Sequence, residues 1–150
     1  MTQEVLIRPF SKADKGALLN IITLNVPAYF AASEVEDYRL YLENETEDYF
    51  VAVSGNEIIG AGGINYKGQE QIAHISWDLI HPAYQGKGTG KKLLTYRTDL
   101  ITANYPDYKM IVRTSQLVYR FYEKNGFALR EIHKDFWAEG YDMYYMVYEG

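Results

Sequence analysis

The sequence predicts a mixed α/β (α+β) fold, a mostly antiparallel central sheet flanked by helices. Three observations carry that expectation. Segments of strand character and segments of helical spacing interleave in the order β-α-α-β-β-β-α-β-α-β-β. A chain of 150 residues, 47% hydrophobic and 23% charged, reads as one domain over residues 1–150, large enough for a proper core. A basic, glycine-dense turn, Ile80 to Lys92, joins a long strand to an amphipathic helix.

Each element has its own signal. Val5 to Phe10 reads as a first strand. Ser11 is a candidate N-cap with Asp14 three residues on, and Leu18, Leu19 and Ile22 then recur at helical spacing until Pro27 closes the helix. Ser33-Glu34-Val35-Glu36 reads as a capping box before a second helix that carries Tyr38, Leu40, Tyr41 and Leu42 and an acidic face. Tyr49 to Val53 is a strand, turned at Gly55-Asn56 into the return arm Ile58 to Tyr66. Ile72 to Ile80 is a longer strand, ended by His81-Pro82. Leu93, Leu94, Arg97, Leu100 and Ile101 mark the helix after the glycine turn. Tyr108 to Val112 is a strand and Ser115 to Lys124 a helix. Phe127 to His133 and Tyr141 to Tyr148 form a terminal antiparallel pair turned at Glu139-Gly140.

Composition narrows the function. With no cysteine there is no disulfide framework and no cysteinyl acyl-enzyme, and a cytoplasmic setting is the default. No apolar run is long enough to span a membrane, so no membrane partner is expected. Met1 to Val5 has neither the basic nor the apolar region of a signal peptide. A net charge of −5 argues against a nucleic-acid partner and mildly favours a cationic acceptor such as an amine. Tyrosine is abundant, at 15 residues, so one tyrosine becomes a catalytic candidate only where its position singles it out.

The glycine turn is the strongest chemical signal. Gly86, Gly88 and Gly90 allow close approach of a ligand to the backbone and permit positive φ. The helix start behind them offers unpaired N–H groups and the positive end of its dipole, and Lys87, Lys91 and Lys92 add charge. Together these make a candidate pyrophosphate cradle; a plain glycine-rich turn before a solvated lysine face is the alternative. The spacing fits neither a P-loop, which needs Gly where Gln85 stands and Ser/Thr where Lys92 stands, nor the G-x-G-x-x-G of a dinucleotide site.

What the spacing does match is Gln85-x-x-Gly88-x-Gly90, which resembles the acetyl-CoA loop of the GNAT acetyltransferase superfamily, Q/R-x-x-G-x-G/A. About thirty residues on, Phe121-Tyr122-Glu123-Lys124-Asn125-Gly126-Phe127 is similar to that family's F-Y-x-K-x-G-F segment. The resemblance implies the GNAT fold and acetyl-CoA as co-substrate without a metal. It implies transfer of the acetyl group to a primary amine by direct attack in a ternary complex. A non-catalytic acyl-CoA-binding module on the same fold is the alternative.

The resemblance also assigns residues. Gln85, Gly86, Lys87, Gly88, Thr89, Gly90 and Lys91 would hold the pyrophosphate, with Phe121 and Ser115 also at the cofactor. Ser115 stands where many members carry Asn. The pantetheine arm would enter a wedge between Leu79-Ile80 and Ile111-Val112-Arg113, where a backbone N–H of Leu79 or Ile80 would polarise the thioester carbonyl. Tyr122 would hydrogen-bond or protonate the departing sulfur, with Tyr119 one turn away as the fallback; a core tyrosine is the alternative. His74, eleven residues before Gln85, occupies the place of a family glutamate that acts as general base; a hydrogen-bonded strand histidine is the alternative. By strand alternation Asp78 shares a face with His74 and Ser76, while His81 belongs to the turn and His133 to a late strand. The acceptor, a small-molecule or peptide amine, would be chosen by the Asn25 to Ser33 connection and the last strands. Tyr29, Phe30, Phe136 and Trp137 line such a pocket or else anchor loops. A homodimer is left open.

Overall fold

The structure, a computed structural model, describes residues 4–150; Met1, Thr2 and Gln3, where the segment read for a leader begins, lie outside them. Seven strands form one sheet in the order β1-β2-β3-β4-β5-β7-β6: β1 Val5–Pro9, β2 Asp48–Ser54, β3 Glu57–Lys67, β4 Ile72–Ile80, β5 Lys109–Thr114, β6 Phe127–Ala138 and β7 Tyr141–Tyr148. Among the described residues only β4 and β5 pair in parallel; every other neighbouring pair is antiparallel. Helices α1 (Lys15–Leu24) and α2 (Glu34–Asn44) cover one face, where Leu18, Ile21, Tyr38 and Tyr41 pack on Val51, Ala61 and Leu79. Helices α3 (Thr89–Asn104) and α4 (Tyr119–Lys124) cover the other, where Leu93, Leu94, Ile101 and Tyr122 pack on Ala73, Ile75, Val112 and Met146.

The element order matches the sequence expectation, and four details differ for physical reasons. Ser33 lies in the right-handed helical region (φ −63, ψ −23) and makes no capping bond. An N-cap residue needs an extended backbone to aim its hydroxyl. Instead Glu34 reaches back and accepts from the Ala31 backbone N–H at 2.8 Å. Helix α4 begins at Tyr119 rather than Ser115, because residues 115–118 form a tight turn whose Ser115 carbonyl accepts from Val118 N (3.2 Å) and Tyr119 N (3.0 Å). Strand β6 continues past His133 to Ala138 across an irregularity where Asp135 has φ +54.

The fourth difference matters most. The β3–β4 register jumps from Ala61↔Leu79 to Gly63↔Ser76, so Trp77 and Asp78 together oppose Gly62. This is a β-bulge, and Trp77 sits in it at φ +47, a left-handed conformation rare for a bulky side chain. One extra residue inverts the alternation. Trp77 joins His74 and Ser76 on the α1–α2 side, and Asp78 turns to the α3–α4 side. The expectation that Asp78 shares a face with His74 is thereby corrected.

Candidate functional site

The β4–β5 ladder runs from Ile72↔Lys109 to Ile75↔Val112 and stops. Past that point the strands part, and a cleft of about 1070 Å³ opens between Ser76–Ile80 on one side and Arg113–Ser115 on the other. Ile111 and Val112, expected to border the gap, are still paired with β4; Val112, the last paired residue, lines the base of the cleft, and the strands part from Arg113. The bulge supplies the cause, since it bends β4 just where pairing ends. On the far wall Trp137 donates its indole N–H to the Thr114 carbonyl at 3.0 Å.

The ladder also separates the two backbone candidates. His81 N donates to Ile59 O at 2.7 Å, so in the antiparallel alternation Gly60↔Ile80 is a non-hydrogen-bonded pair. The Ile80 N–H and C=O therefore point away from β3, whereas those of Leu79 point into it. The Ile80 carbonyl accepts from Asn25 Nδ2 (3.1 Å) and Gln85 Nε2 (3.3 Å), as that direction requires.

At one end of the cleft lies the glycine turn. Gly86 and Gly88 have φ +76 and +86, and Gly88 is the residue before α3. Alternating handedness of this kind gathers successive N–H groups into a concave, anion-binding nest at the helix start. Gly90 is helical, and its role is packing: a Cβ there would lie 3.3 Å from the Phe121 ring. That contact is how Phe121 borders the loop. Gln85 is bound inward, its Nε2 donating to Asn25 Oδ1 at 2.9 Å, so it ties the loop to the end of α1. Lys91 lines the cleft, Lys87 lies over the Tyr84 ring, and Lys92 donates to the Val5 carbonyl. Thr89 is buried in the first turn of α3. Ser115 lines the cleft and accepts from Leu117 N at 3.2 Å.

In the middle, Tyr122 lines the cleft and donates its hydroxyl to Asp78 Oδ2 at 2.5 Å. Asp78 Oδ1 pairs with Arg97 Nη1 at 2.6 Å, and Arg97 is fully buried. Gly62 makes room for the pair, since a Cβ there would fall 2.3 Å from Asp78 Oδ1. Burial and the Asp78 charge push the Tyr122 phenol well above its usual range. Tyr119 packs against Tyr144 in a tilted pair with ring centroids 4.8 Å apart, and it does not line the cleft. His74 also lines the cleft, and its Nε2 is buried without a hydrogen-bond partner among the described residues. Burial, then Lys67 and Arg113, lower its pKa from the usual 6.5. His81 accepts from Ala83 N at 3.1 Å and His133 contacts Glu131, and neither lines the cleft.

At the other end Tyr29, Phe30 and Trp137 line the cleft, while Phe136 stands outside it, 48% exposed. Phe30 stacks on Trp77 with ring centroids 6.3 Å apart. The sequence reading missed Trp77, Arg97, Asn25 and Glu34. Only Arg97 left a trace, as a cation inside the apolar register of Leu93, Leu94 and Ile101.

A sheet parted between two parallel strands, with a glycine turn at a helix start at one end and an aromatic chamber at the other, leaves room for an extended ligand that reaches both. The model of the acetyltransferase (GNAT) domain matches residues 20–149, and the chain belongs to the GNAT acetyltransferase family. No curated protein matches it in sequence. Among solved structures, it resembles a GNAT-family acetyltransferase from Desulfovibrio desulfuricans (TM-score 0.82, 18% identity, 97% of this chain and 99% of that one). It also resembles the PaiA N-acetyltransferase of Thermoplasma acidophilum in complex with coenzyme A (0.74, 16%, 97% and 99%). A third is the ribosomal-protein-S18-alanine N-acetyltransferase of Escherichia coli (0.77, 14%, 97% and 93%). No helix among the described residues is long and apolar enough to cross a membrane.

Proposed function

We propose that this protein transfers the acetyl group of acetyl-CoA to a primary amine by direct attack within a ternary complex. The observation that carries this reading is the continuous cleft. It links the nest at Gly86–Lys91 to the chamber at Tyr29, Phe30 and Trp77 through the gap beside Ile80. A structural neighbour in complex with coenzyme A supports the choice of donor. The pyrophosphate rests on the N–H groups of the loop and first turn of α3. The Ile80 N–H faces the thioester carbonyl and stabilises the charge that develops on its oxygen.

The amine nitrogen attacks that carbon, the C–N bond forms and the C–S bond breaks. His74, kept neutral by burial, receives the ammonium proton through water along the cleft, because six strand positions separate it from Ile80. Tyr122 faces the leaving sulfur as a hydrogen-bond donor, turning its O–H in the ring plane away from Asp78. Full proton transfer is uphill, because a phenol pushed above 10 would be giving its proton to a thiolate whose acid is near ~8.5. The absence of cysteine fits a route with no acyl-enzyme and a cytoplasmic setting. The test is an acetyl-CoA screen over a panel of amines, reading CoA release. Turnover on at least one amine supports the proposal. Tight acetyl-CoA binding with no turnover on any class of amine would leave a non-catalytic acyl-CoA module.

A further inference from the structure

The carboxylates that line the cleft are not equivalent. Asp78 is paired with Arg97, and Glu45 and Glu47 are exposed at the rim, where water solvates them. Glu34 is different. It is only 6% exposed, lines the cleft, and among the described residues forms no ion pair. One of its oxygens accepts from Ala31 N at 2.8 Å and so closes the start of α2. A glutamine would serve that bond equally well, so the cap does not account for the charge. Burying a carboxylate with no counter-cation is costly, and the burial, with Asp37 nearby, raises its pKa.

The surroundings of Glu34 suit a cation. Phe30, four residues earlier in the connection before α2, presents a ring stacked on Trp77 at an interplanar angle of 18°. Trp77 reaches this side of the sheet only because the bulge holds it at φ +47, and Tyr38 and Tyr41 support its ring from behind at 5.0 and 5.9 Å. With Trp77 held between Phe30 and the two tyrosines, the open aromatic face is the outer face of Phe30, and a carboxylate beside an aromatic wall is a common way to hold an ammonium or guanidinium group.

We propose that Glu34, with the Trp77–Phe30 wall, is a subsite for a second cationic group on the acceptor. This rests on the acetyl-transfer reading and narrows its substrate class: the acceptor is an amine that carries at least one further ammonium or guanidinium.

The test compares 1,4-diaminobutane with n-butylamine, which have the same carbon chain and differ by one ammonium. Each is titrated calorimetrically into protein saturated with CoA, so that no turnover occurs. The diamine is expected to bind wild-type protein about tenfold more tightly or better. That advantage should vanish in Glu34→Gln, whose melting temperature should stay level or rise because the Ala31 bond is kept and a buried charge removed. Should the variant fail to fold, the double variant Glu45→Gln, Glu47→Gln decides: the diamine's advantage should persist there, and its loss would place the second cation at the rim and overturn the subsite. Equal affinities, no detectable diamine binding, or an advantage that survives in folded Glu34→Gln would overturn the subsite. Failure of the transferase reading shows separately, as no CoA binding or no CoA release from acetyl-CoA with any amine.

Discussion

The two ends of the cleft are built from different materials. The end at Gly86–Lys91 is made of backbone: positive-φ glycines, a helix start, and the Ile80 amide facing away from β3. The end at Asn25–Glu34 is made of side chains that arrive from separate elements: Phe30 from the connection, Glu34 from α2, Trp77 from the bulge. A backbone site recognises what every donor of one class shares. A side-chain site can be altered residue by residue without touching the sheet. The contrast explains how a fold can keep one co-substrate while the acceptor changes.

The comparison breaks first if the backbone end tolerates side chains. Gly88→Glu places a Cβ at φ +86 and a negative charge in the nest, and acetyl-CoA binding measured by calorimetry should fall at least about 10³-fold. Binding like the parent would remove the loop from the site. Next comes the buried link between the ends. Asp78→Asn leaves the fully buried Arg97 without its counter-charge and should cost about 3–5 kcal/mol, a melting-temperature drop of about 6–20 °C. An unchanged melting temperature would mean the ion pair does not tie β4 to α3.

His74→Gln should lower turnover about 10²-fold. Its pH signature has a definite sign. Because burial depresses the His74 pKa, the residue is protonated, and useless as a base, only at pH below the usual 6.5. The ratio of wild-type to variant kcat/KM cancels the acceptor's own titration. It should rise as pH climbs through a value under 6.5 and stay flat above it. A ratio independent of pH would return His74 to the strand. The smallest effect expected is Tyr122→Phe, about tenfold in kcat with acetyl-CoA affinity kept. Asp78 loses a donor, so melting should also fall by a few degrees, about 1–3 kcal/mol. Unaltered kcat with chemistry limiting would leave Tyr122 as a support for Asp78 alone.

The same contrast decides what the sequence reveals. The glycine loop is legible because backbone conformation is written in local residue types, and the β4 range Ile72–Ile80 follows from its apolar run and the proline after it. Tyr122 and Ser115 line the cleft, but the resemblance of the Phe121–Phe127 segment and the family position of Ser115 single them out, not local residue type. Strand alternation puts Asp78 on the wrong face because it holds only without a bulge, and nothing in Ser76-Trp77-Asp78 announces one. Glu34 reads locally as part of a helix start, which it is; its burial comes from the packing of α2 against the sheet, a tertiary fact. Asn25 is buried between α1 and Gln85, sixty positions apart in sequence, beyond the reach of any local pattern.

The central claim is that both ends belong to one cleft and are occupied together when the acetyl group moves. Initial rates measured over a grid of acetyl-CoA and acceptor concentrations test it most directly. The account predicts double-reciprocal lines that intersect, and no acetylated protein by mass spectrometry when acetyl-CoA is supplied alone. Parallel lines with a stable acetyl-protein would show that the group is parked on the chain before the acceptor enters, and would contradict it.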